Sequence, residues 1–497
     1  MDRKILSSEL KFESTDVLET VQHKPESDYL NSEECIVNKS PLSSTEAPIG
    51  NLDLATLAST LRTIIPPPEQ FEKTFRNPCW YMHLSVPLKA IKILQTTRGN
   101  ISDAEAFNLM NMIFGQSSSQ HWQNSGSNLK SSLQGTPSAT LDVPPKSLVC
   151  IPMVYFIGFP RSGSTQLYKM LTSHPELAGG TNKEPHWWTR YLFSSKFPHN
   201  ILAIVRYLSH FREASEQIAS NNKTGQLLID GSQSTVWDVR TNNNFCALPH
   251  LITSVIPNAK FIVLMRNPVD RLFSDFRYLC EEALRIKLKG KGNNKTEIER
   301  EKIFNNDPAF NVSADVFHKV VQQEINSFES CLASGNSIDI CTHLSTITLP
   351  RKSLPSSAAS TISTECSRVR LGISLYHVHL KRWLKVISKE RFLFLRTEDM
   401  SADPYALLER VWQFLGVRKQ SKTELTGILH RHLHSSLLGL SQPLQGVSIN
   451  STVSDSAVEM HKETRDLLEK FFQQHTTALS QILEDERFSW DDVIDHR

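Results

Sequence analysis

The sequence predicts an α/β protein: a three-layer sandwich in which helices cover both faces of a central parallel sheet, preceded by an N-terminal stem of low order. Three observations point there. Short apolar runs rich in strand formers recur along residues 146–497 and alternate with stretches of helical periodicity. These runs are apolar at nearly every position, the pattern of strands buried on both faces. Residues 1–145, by contrast, are rich in Ser, Thr, Asn and Pro and hold few sustained apolar patterns.

Within 1–145, Pro66-Pro67-Pro68 and Ser117-Ser118-Ser119 read as linker, whereas Leu52–Ile65 and Asn77–Leu94 have enough apolar residues to form short helices or pack on a neighbour. From Leu148 the texture changes. Met153–Gly158 is the first strand, and Thr165–Ser173 a helix with Leu167, Met170 and Leu171 on one face. Leu227–Asp230 is the second strand. Phe261–Arg266 is the third, followed by a helix that starts at Pro268 and aligns Leu272, Phe273, Phe276 and Leu279. Arg391–Arg396 is the fourth, followed by a helix from Pro404 to Leu415. Proline suits a first helical turn because its missing donor is not needed there. The polar stretches Lys287–Lys295 and Ser345–Ser363 read as inserted loops.

Composition narrows the function. A 39% hydrophobic and 21% charged chain is neither wholly disordered nor collagen-like. A formal charge of +2 gives no support for a nucleic-acid binder. No run approaches the ~18 apolar residues of a membrane helix, and Met1–Ser7 reads as no secretory signal. The eight cysteines include no Cys-x-x-Cys pair. Cys331 and Cys341 flank the turn Ser334–Ser337 and are candidates for a small disulfide loop in an oxidising compartment. His430, His432 and His434 alternate without a carboxylate partner, so no metal site is expected. Asn-x-Ser/Thr at Asn38, Asn100, Asn222, Asn294, Asn311 and Asn450 permits a luminal location.

The chemistry concentrates in Gly158-Phe159-Pro160-Arg161-Ser162-Gly163-Ser164-Thr165, between a strand and a helix. Free backbone N–H groups and the positive end of a helix make an anion site at such a turn. Gly158 and Gly163 permit close backbone approach, Ser162, Ser164 and Thr165 add hydroxyls, and Arg161 adds a forked cation. The spacing is that of a nucleotide-binding P-loop, but Ser164 stands where such a loop has lysine. A phosphate or phosphosulfate near the helix start fits better than a triphosphate. Arg266, at the end of the third strand, and Ser274, about two helical turns on, are placed to share a second phosphate.

In order, FPRSGST, FIVLMRNPVDRLFSDF and FLFLRTEDMSADPYALLERVWQFLGV resemble the sulfotransferases that use 3′-phosphoadenosine 5′-phosphosulfate (PAPS). The block Lys183-Glu184-Pro185-His186-Trp187-Trp188-Thr189-Arg190 resembles their Golgi carbohydrate branch, which includes the heparan sulfate enzymes. Thr235–Asp238, Gly372–Leu384 and Glu463–Trp490 support that likeness. Within the branch it points to enzymes acting on the 6-position of N-acetylgalactosamine 4-sulfate. The resemblance spans roughly residues 148–490.

It implies a P-loop-like fold, PAPS as donor with no metal required, a Golgi setting and an anionic acceptor such as chondroitin or dermatan sulfate. It implies that Arg161, Ser162, Gly163, Ser164 and Thr165 hold the 5′-phosphosulfate and that Arg266 and Ser274 hold the 3′-phosphate. Glu184 becomes the base for the sugar hydroxyl, and His186 contacts the sulfuryl group or orients Glu184. Arg161 stabilises the leaving phosphate, and Lys183, Trp187 and Arg190 are candidate acceptor contacts. Several features depart from the family pattern. Arg161 stands where many relatives have Lys, Asp230-Gly231 replaces a more usual Glu- or Lys-containing segment, and no Lys/Gly-rich loop closes over the adenosine, leaving Lys462 and Arg465 as substitutes. No membrane anchor of the family's kind is readable. Three other readings stay open: a heparan-type acceptor, a P-loop kinase, and a glycan-binding module that kept the fold without transfer.

Overall fold

In the computed structural model, the described residues are 54–83, 146–192, 200–220, 223–239, 245–289, 313–346, 369–432 and 459–491. Seven strands lie among them: β1 (Cys79–His83), β2 (Lys146–Cys150), β3 (Val154–Gly158), β4 (Leu177–Gly179), β5 (Leu227–Asp230), β6 (Lys260–Met265) and β7 (Phe392–Arg396). The last five form one parallel sheet in the order β4-β5-β3-β6-β7. The chain winds outward from β3 to one edge, returns, and crosses to the other side through β6. The carboxyl ends of β3 and β6 therefore flank the reversal point, where open α/β sheets bind ligands.

The two faces of the sheet bury alternate residues of each strand. Tyr155, Ile157, Leu228, Phe261, Val263, Met265 and Phe392 enter one core. Val154, Phe156, Leu227, Ile229, Ile262, Leu264 and Leu395 enter the other. Period-2 side-chain direction explains this, and burial on both sides explains why the sequence shows continuous apolar runs.

Helices on the first face include α1 (Leu54–Arg62), α3 (Asn200–Ser209), α4 (Arg212–Ser220) and α5 (Ala247–Val255). On the second lie α2 (Ser164–Thr172), α11 (Pro404–Leu415) and α12 (Lys422–His432). A third core joins α6 (Pro268–Lys289), α7 (Ala314–Ala333), α8 (Ile338–Leu344), α9 (Tyr376–Leu384) and α13 (Lys462–Leu483). The short α10 (Thr397–Ala402) follows β7 directly. Helix ends follow local chemistry. Asn267 Oδ1 accepts from the N–H of Val269 at 3.0 Å ahead of α6, and Asp403 accepts from Ala406 at 3.0 Å ahead of α11. Gly416, at φ 65°, ends α11 in the left-handed conformation.

One element departs from the sequence reading. The three-residue strand β4 was not anticipated: Leu177-Ala178-Gly179 is too short for a pattern. In the N-terminal segment, Leu52–Ile65 and Asn77–Leu94 are the parts expected to form short helices or pack on a neighbour, and there Leu57, Leu61, Ile64, Ile65, Trp80 and Met82 are buried in the first core. There β1 pairs antiparallel with β2, and Cys79 and Cys150, opposite one another, form a disulfide. Cys331 and Cys341 are bonded as well, from the end of α7 to α8, and Cys246 is also disulfide-bonded. The Lys287–Lys295 stretch begins inside α6, which runs to Lys289. Its remainder and most of Ser345–Ser363 lie outside the described residues, as does His434.

Candidate active site

The turn after β3 is built to expose backbone donors. Gly163, at φ 78°, starts α2 in the left-handed region that glycine adopts without cost. A Cβ there would come within 2.9 Å of the Met400 methyl. Arg161 also has positive φ, 69°, an uncommon state for a residue with a side chain. Gly158 passes against the segment after β5, where a Cβ would meet Val236 Cγ1 at 2.3 Å. The Thr397 hydroxyl lies 2.8 Å from the carbonyl of Ser162 and 3.0 Å from that of Met265. It clasps the turn to the ends of β6 and β7. The Ser162 hydroxyl is buried and has no partner among the described residues, as fits a loop that holds a polar ligand.

Lys183 supplies the cation that the loop lacks at Ser164. Its Nζ lies 3.3 Å from Ser164 Oγ, 3.3 Å from Thr165 Oγ1 and 2.6 Å from Glu184 Oε1. The other carboxylate oxygen, Oε2, is 3.3 Å from His186 Nε2. The sequence-predicted block is thus brought against the sequence-predicted loop. Backbone bonds hold it there: the N–H of Gly231 donates to Lys183 O at 3.1 Å, and the N–H of His186 donates to Ser232 Oγ at 3.0 Å.

Beneath the block, Asp230 is buried at the end of β5. It accepts the Tyr207 hydroxyl at 2.7 Å and the N–H of Ser232 at 2.9 Å. Burial raises its pKa above the usual carboxylate value, and these hydrogen bonds oppose that rise. Trp187 and Trp188 are 2% and 1% exposed. Trp187 stacks on Tyr207 with ring centres 4.8 Å apart. Both indoles pack in the core and present no face to a sugar ring, so Trp187 is placed away from the acceptor role expected of it. Arg190 and Tyr191, one turn on, are exposed.

On the other side of the turn, Arg161 Nε donates to Ser274 Oγ at 3.1 Å, and its guanidinium lies 4.8 Å from the centre of the Tyr278 ring. The residue expected on the leaving phosphate thus leans toward the second phosphate position. Arg266 is half-buried at the end of β6, and its guanidinium forms no ion pair among the described residues. Its carbonyl accepts the Tyr376 hydroxyl at 2.8 Å.

Behind Ser274, Asp275 and Arg271 are completely buried. Arg370 pairs with Asp275 through two nitrogens, one at 2.8 Å, and Arg271 approaches it at 3.5 Å. Burial alone would raise the Asp275 pKa, but Arg271 and Arg370 hold it below the usual value. Sequence reasoning missed Asp275, Arg370, Ser232 and Ser234, because the contacts that place them reach across 45 to 95 residues. Arg465 pairs with Asp270 at 2.8 Å, so it is anchored to the start of α6. Among the described residues no group of three or more His, Cys, Asp or Glu is arranged for a metal ion. His432 instead lies 2.8 Å from the Ser173 hydroxyl.

Residues 152–437 match the family model described as sulfotransferase domain. Mouse carbohydrate sulfotransferase 15 is 29% identical over 379 residues, covering 69% of this chain and 55% of the relative. Mouse heparan sulfate glucosamine 3-O-sulfotransferase 3A1 is 22% identical over 294 residues, 59% of this chain and 52% of that one. The chain spans about half the length of these relatives. A solved sulfotransferase from Alicyclobacillus acidocaldarius is 16% identical with a TM-score of 0.37, over 68% of this chain and 97% of the other.

Proposed function

The chain belongs to the sulfotransferase domain family, and from that premise we propose that it transfers a sulfuryl group from PAPS to a sugar hydroxyl of a glycosaminoglycan. The observation that carries this reading is Lys183, which touches the loop hydroxyls of Ser164 and Thr165 and the carboxylate of Glu184. A cation so placed links a bound sulfuryl donor to the group that takes up the acceptor's proton.

In this reading the donor supplies an activated sulfur. The sugar oxygen attacks it, the bond to the 5′-phosphate breaks, and the nucleotide leaves as the 3′,5′-diphosphate. The backbone donors of Ser162–Thr165, the hydroxyls of Ser164 and Thr165, and Lys183 bind the phosphosulfate end. Arg266 and Ser274 bind the 3′-phosphate. Glu184 takes the sugar proton on a carboxylate oxygen, and His186 orients that carboxylate. Arg161 meets the leaving phosphate by swinging from Ser274 toward the loop.

The acceptor we propose is the 6-position of N-acetylgalactosamine 4-sulfate in chondroitin or dermatan sulfate, supported by the likeness to carbohydrate sulfotransferase 15. A heparan-type acceptor is the second reading, supported by the 3-O-sulfotransferase likeness. Arg190, exposed at the end of the block, is the acceptor-side cation, while Lys183 faces the donor loop. The disulfides fit the oxidising lumen of the Golgi. Among the described residues no helix is long and apolar enough to cross a membrane.

The test is Glu184→Gln with radiolabelled PAPS and a panel of desulfated, 4-sulfated and heparan-type glycans. The wild type should label the 4-sulfated galactosaminoglycan at the 6-position. The variant should bind nucleotide as before and lose ~10²–10⁴-fold in transfer, the range for removal of a general base. Undiminished transfer by Glu184→Gln would remove Glu184 from the mechanism. Wild-type label confined to heparan would replace the acceptor.

A further inference from the structure

The imidazole of His186 is held by a pair of hydroxyls, and the one that touches it lies outside the predicted block. Ser234, 1% exposed, lies in the segment after β5, and its Oγ is 2.8 Å from His186 Nδ1. Thr189, also 1% exposed, places Oγ1 2.7 Å from the same Ser234 oxygen. The backbone of His186 is separately pinned by Ser232, so the ring is restrained from two sides.

The direction of these bonds follows from the inventory of protons. Lys183 has donors only and donates to Glu184 Oε1. The second carboxylate oxygen lies 3.3 Å from His186 Nε2. A neutral imidazole with its proton on Nε2 has a bare lone pair on Nδ1. In that tautomer Ser234 donates to the lone pair and, its one proton spent, accepts from Thr189. The alternative bond from Thr189 to the His186 carbonyl is long, 3.5 Å. In this assignment each member has a partner: Thr189 to Ser234, Ser234 to His186 Nδ1, and His186 Nε2 facing Glu184.

We propose that Ser234, seconded by Thr189, is a positioning residue that fixes His186 in the tautomer with its proton on Nε2 and aims that proton at Glu184. Ser234 acts through His186 and does not touch the reacting atoms. The inference rests on the assignment of Glu184 and His186 to the active site. It adds a residue whose loss should disturb proton handling while leaving donor binding intact, since its hydroxyl faces the imidazole and the nucleotide residues lie on the far side of Lys183.

The experiment uses the full chain with Ser234→Ala, Thr189→Val and Ser234→Thr. Nitrogen-15 spectra of labelled histidine report the tautomer, with the His186 signals assigned by their absence from His186→Gln. Affinity for adenosine 3′,5′-diphosphate reports the donor site, and transfer from PAPS gives kcat and KM. The wild type should show a protonated Nε2 and a bare Nδ1. Ser234→Ala should shift both signals toward a tautomer mixture and lower kcat about tenfold or more, with nucleotide affinity within about twofold, the split expected of a group acting only in the chemical step. Thr189→Val should change both readouts in the same direction by less, and Ser234→Thr should restore them. A wild-type proton on Nδ1, an unchanged His186 spectrum in Ser234→Ala, or equal losses of nucleotide affinity and rate would each overturn the proposal. If Glu184→Gln keeps full transfer, the assignment of the base fails instead. The spectra then still decide whether Ser234 sets the tautomer.

Discussion

Asp275 shows how much of the proposed donor site depends on one buried side chain behind it. It is buried beside Ser274, with Arg271 at 3.5 Å and Arg370 bound through two nitrogens. Removing one partner of such a group leaves buried positive charge without compensation, at a cost of about 3–5 kcal/mol. Asp275→Asn should therefore lower the urea midpoint by that equivalent and weaken adenosine 3′,5′-diphosphate binding, measured by denaturation and calorimetry. Retained stability together with retained affinity would show that the two arginines find other partners. The residues named from the sequence were those whose role depends on local spacing: the loop turn, Arg266 two turns ahead of Ser274, and the Glu-x-His step. Those missed are defined by contacts across the fold. Ser232 and Ser234 look like ordinary loop residues until β5 sets them under His186. Trp187 carries no sequence mark that separates a stacking platform from a core residue; Tyr207, twenty residues on, decides it.

At the scale of elements, strands β3, β5, β6 and β7 were legible because burial on both faces makes them apolar throughout. β1 and β2 were not, since one small antiparallel pair divided over more than 60 residues leaves no repeating pattern. The packing of α9 on α13 carries its own chemistry. His377 of α9 stacks on His475 of α13 with ring centres 5.0 Å apart. Burial, with help from His475 and Lys381, lowers His377 to about 3, and burial lowers His475 to about 4. An unfolded chain takes up these protons near pH ~6.5, while the folded chain refuses them until far lower. Each histidine thus removes up to about 1.4 kcal/mol per pH unit as pH falls below ~6.5 toward its folded value. Asp275, held below its usual value, adds its own loss only at lower pH, as it becomes protonated. Thermal unfolding followed from pH 7.5 to 5 should show a falling Tm, and His377→Phe with His475→Leu should flatten that slope. A wild-type slope unchanged by the pair would assign the acid sensitivity elsewhere.

Across the whole molecule, the first core is shared between the sulfotransferase sheet and residues 54–83, which are closed onto it by the Cys79–Cys150 bond. In the chain-entropy account, a loop of 71 residues contributes about 4 kcal/mol. Replacing both cysteines with serine should lower Tm by several degrees and expose β1 to limited proteolysis near Tyr81, which is already 48% exposed. An unshifted Tm would mean that the apolar contacts of Leu57, Leu61 and Trp80 suffice to hold the segment.

The same bond has a consequence in the order of synthesis. Cys79 leaves the ribosome well before its partner and must persist as a thiol while 71 further residues are added, about 4–14 s at ~5–20 residues per second. Cys331 and Cys341, ten residues apart, can close almost as soon as they emerge. For those first seconds the nascent chain carries Cys79 without its native partner; Cys35 is the one cysteine made before it, and the next to emerge is Cys150 itself.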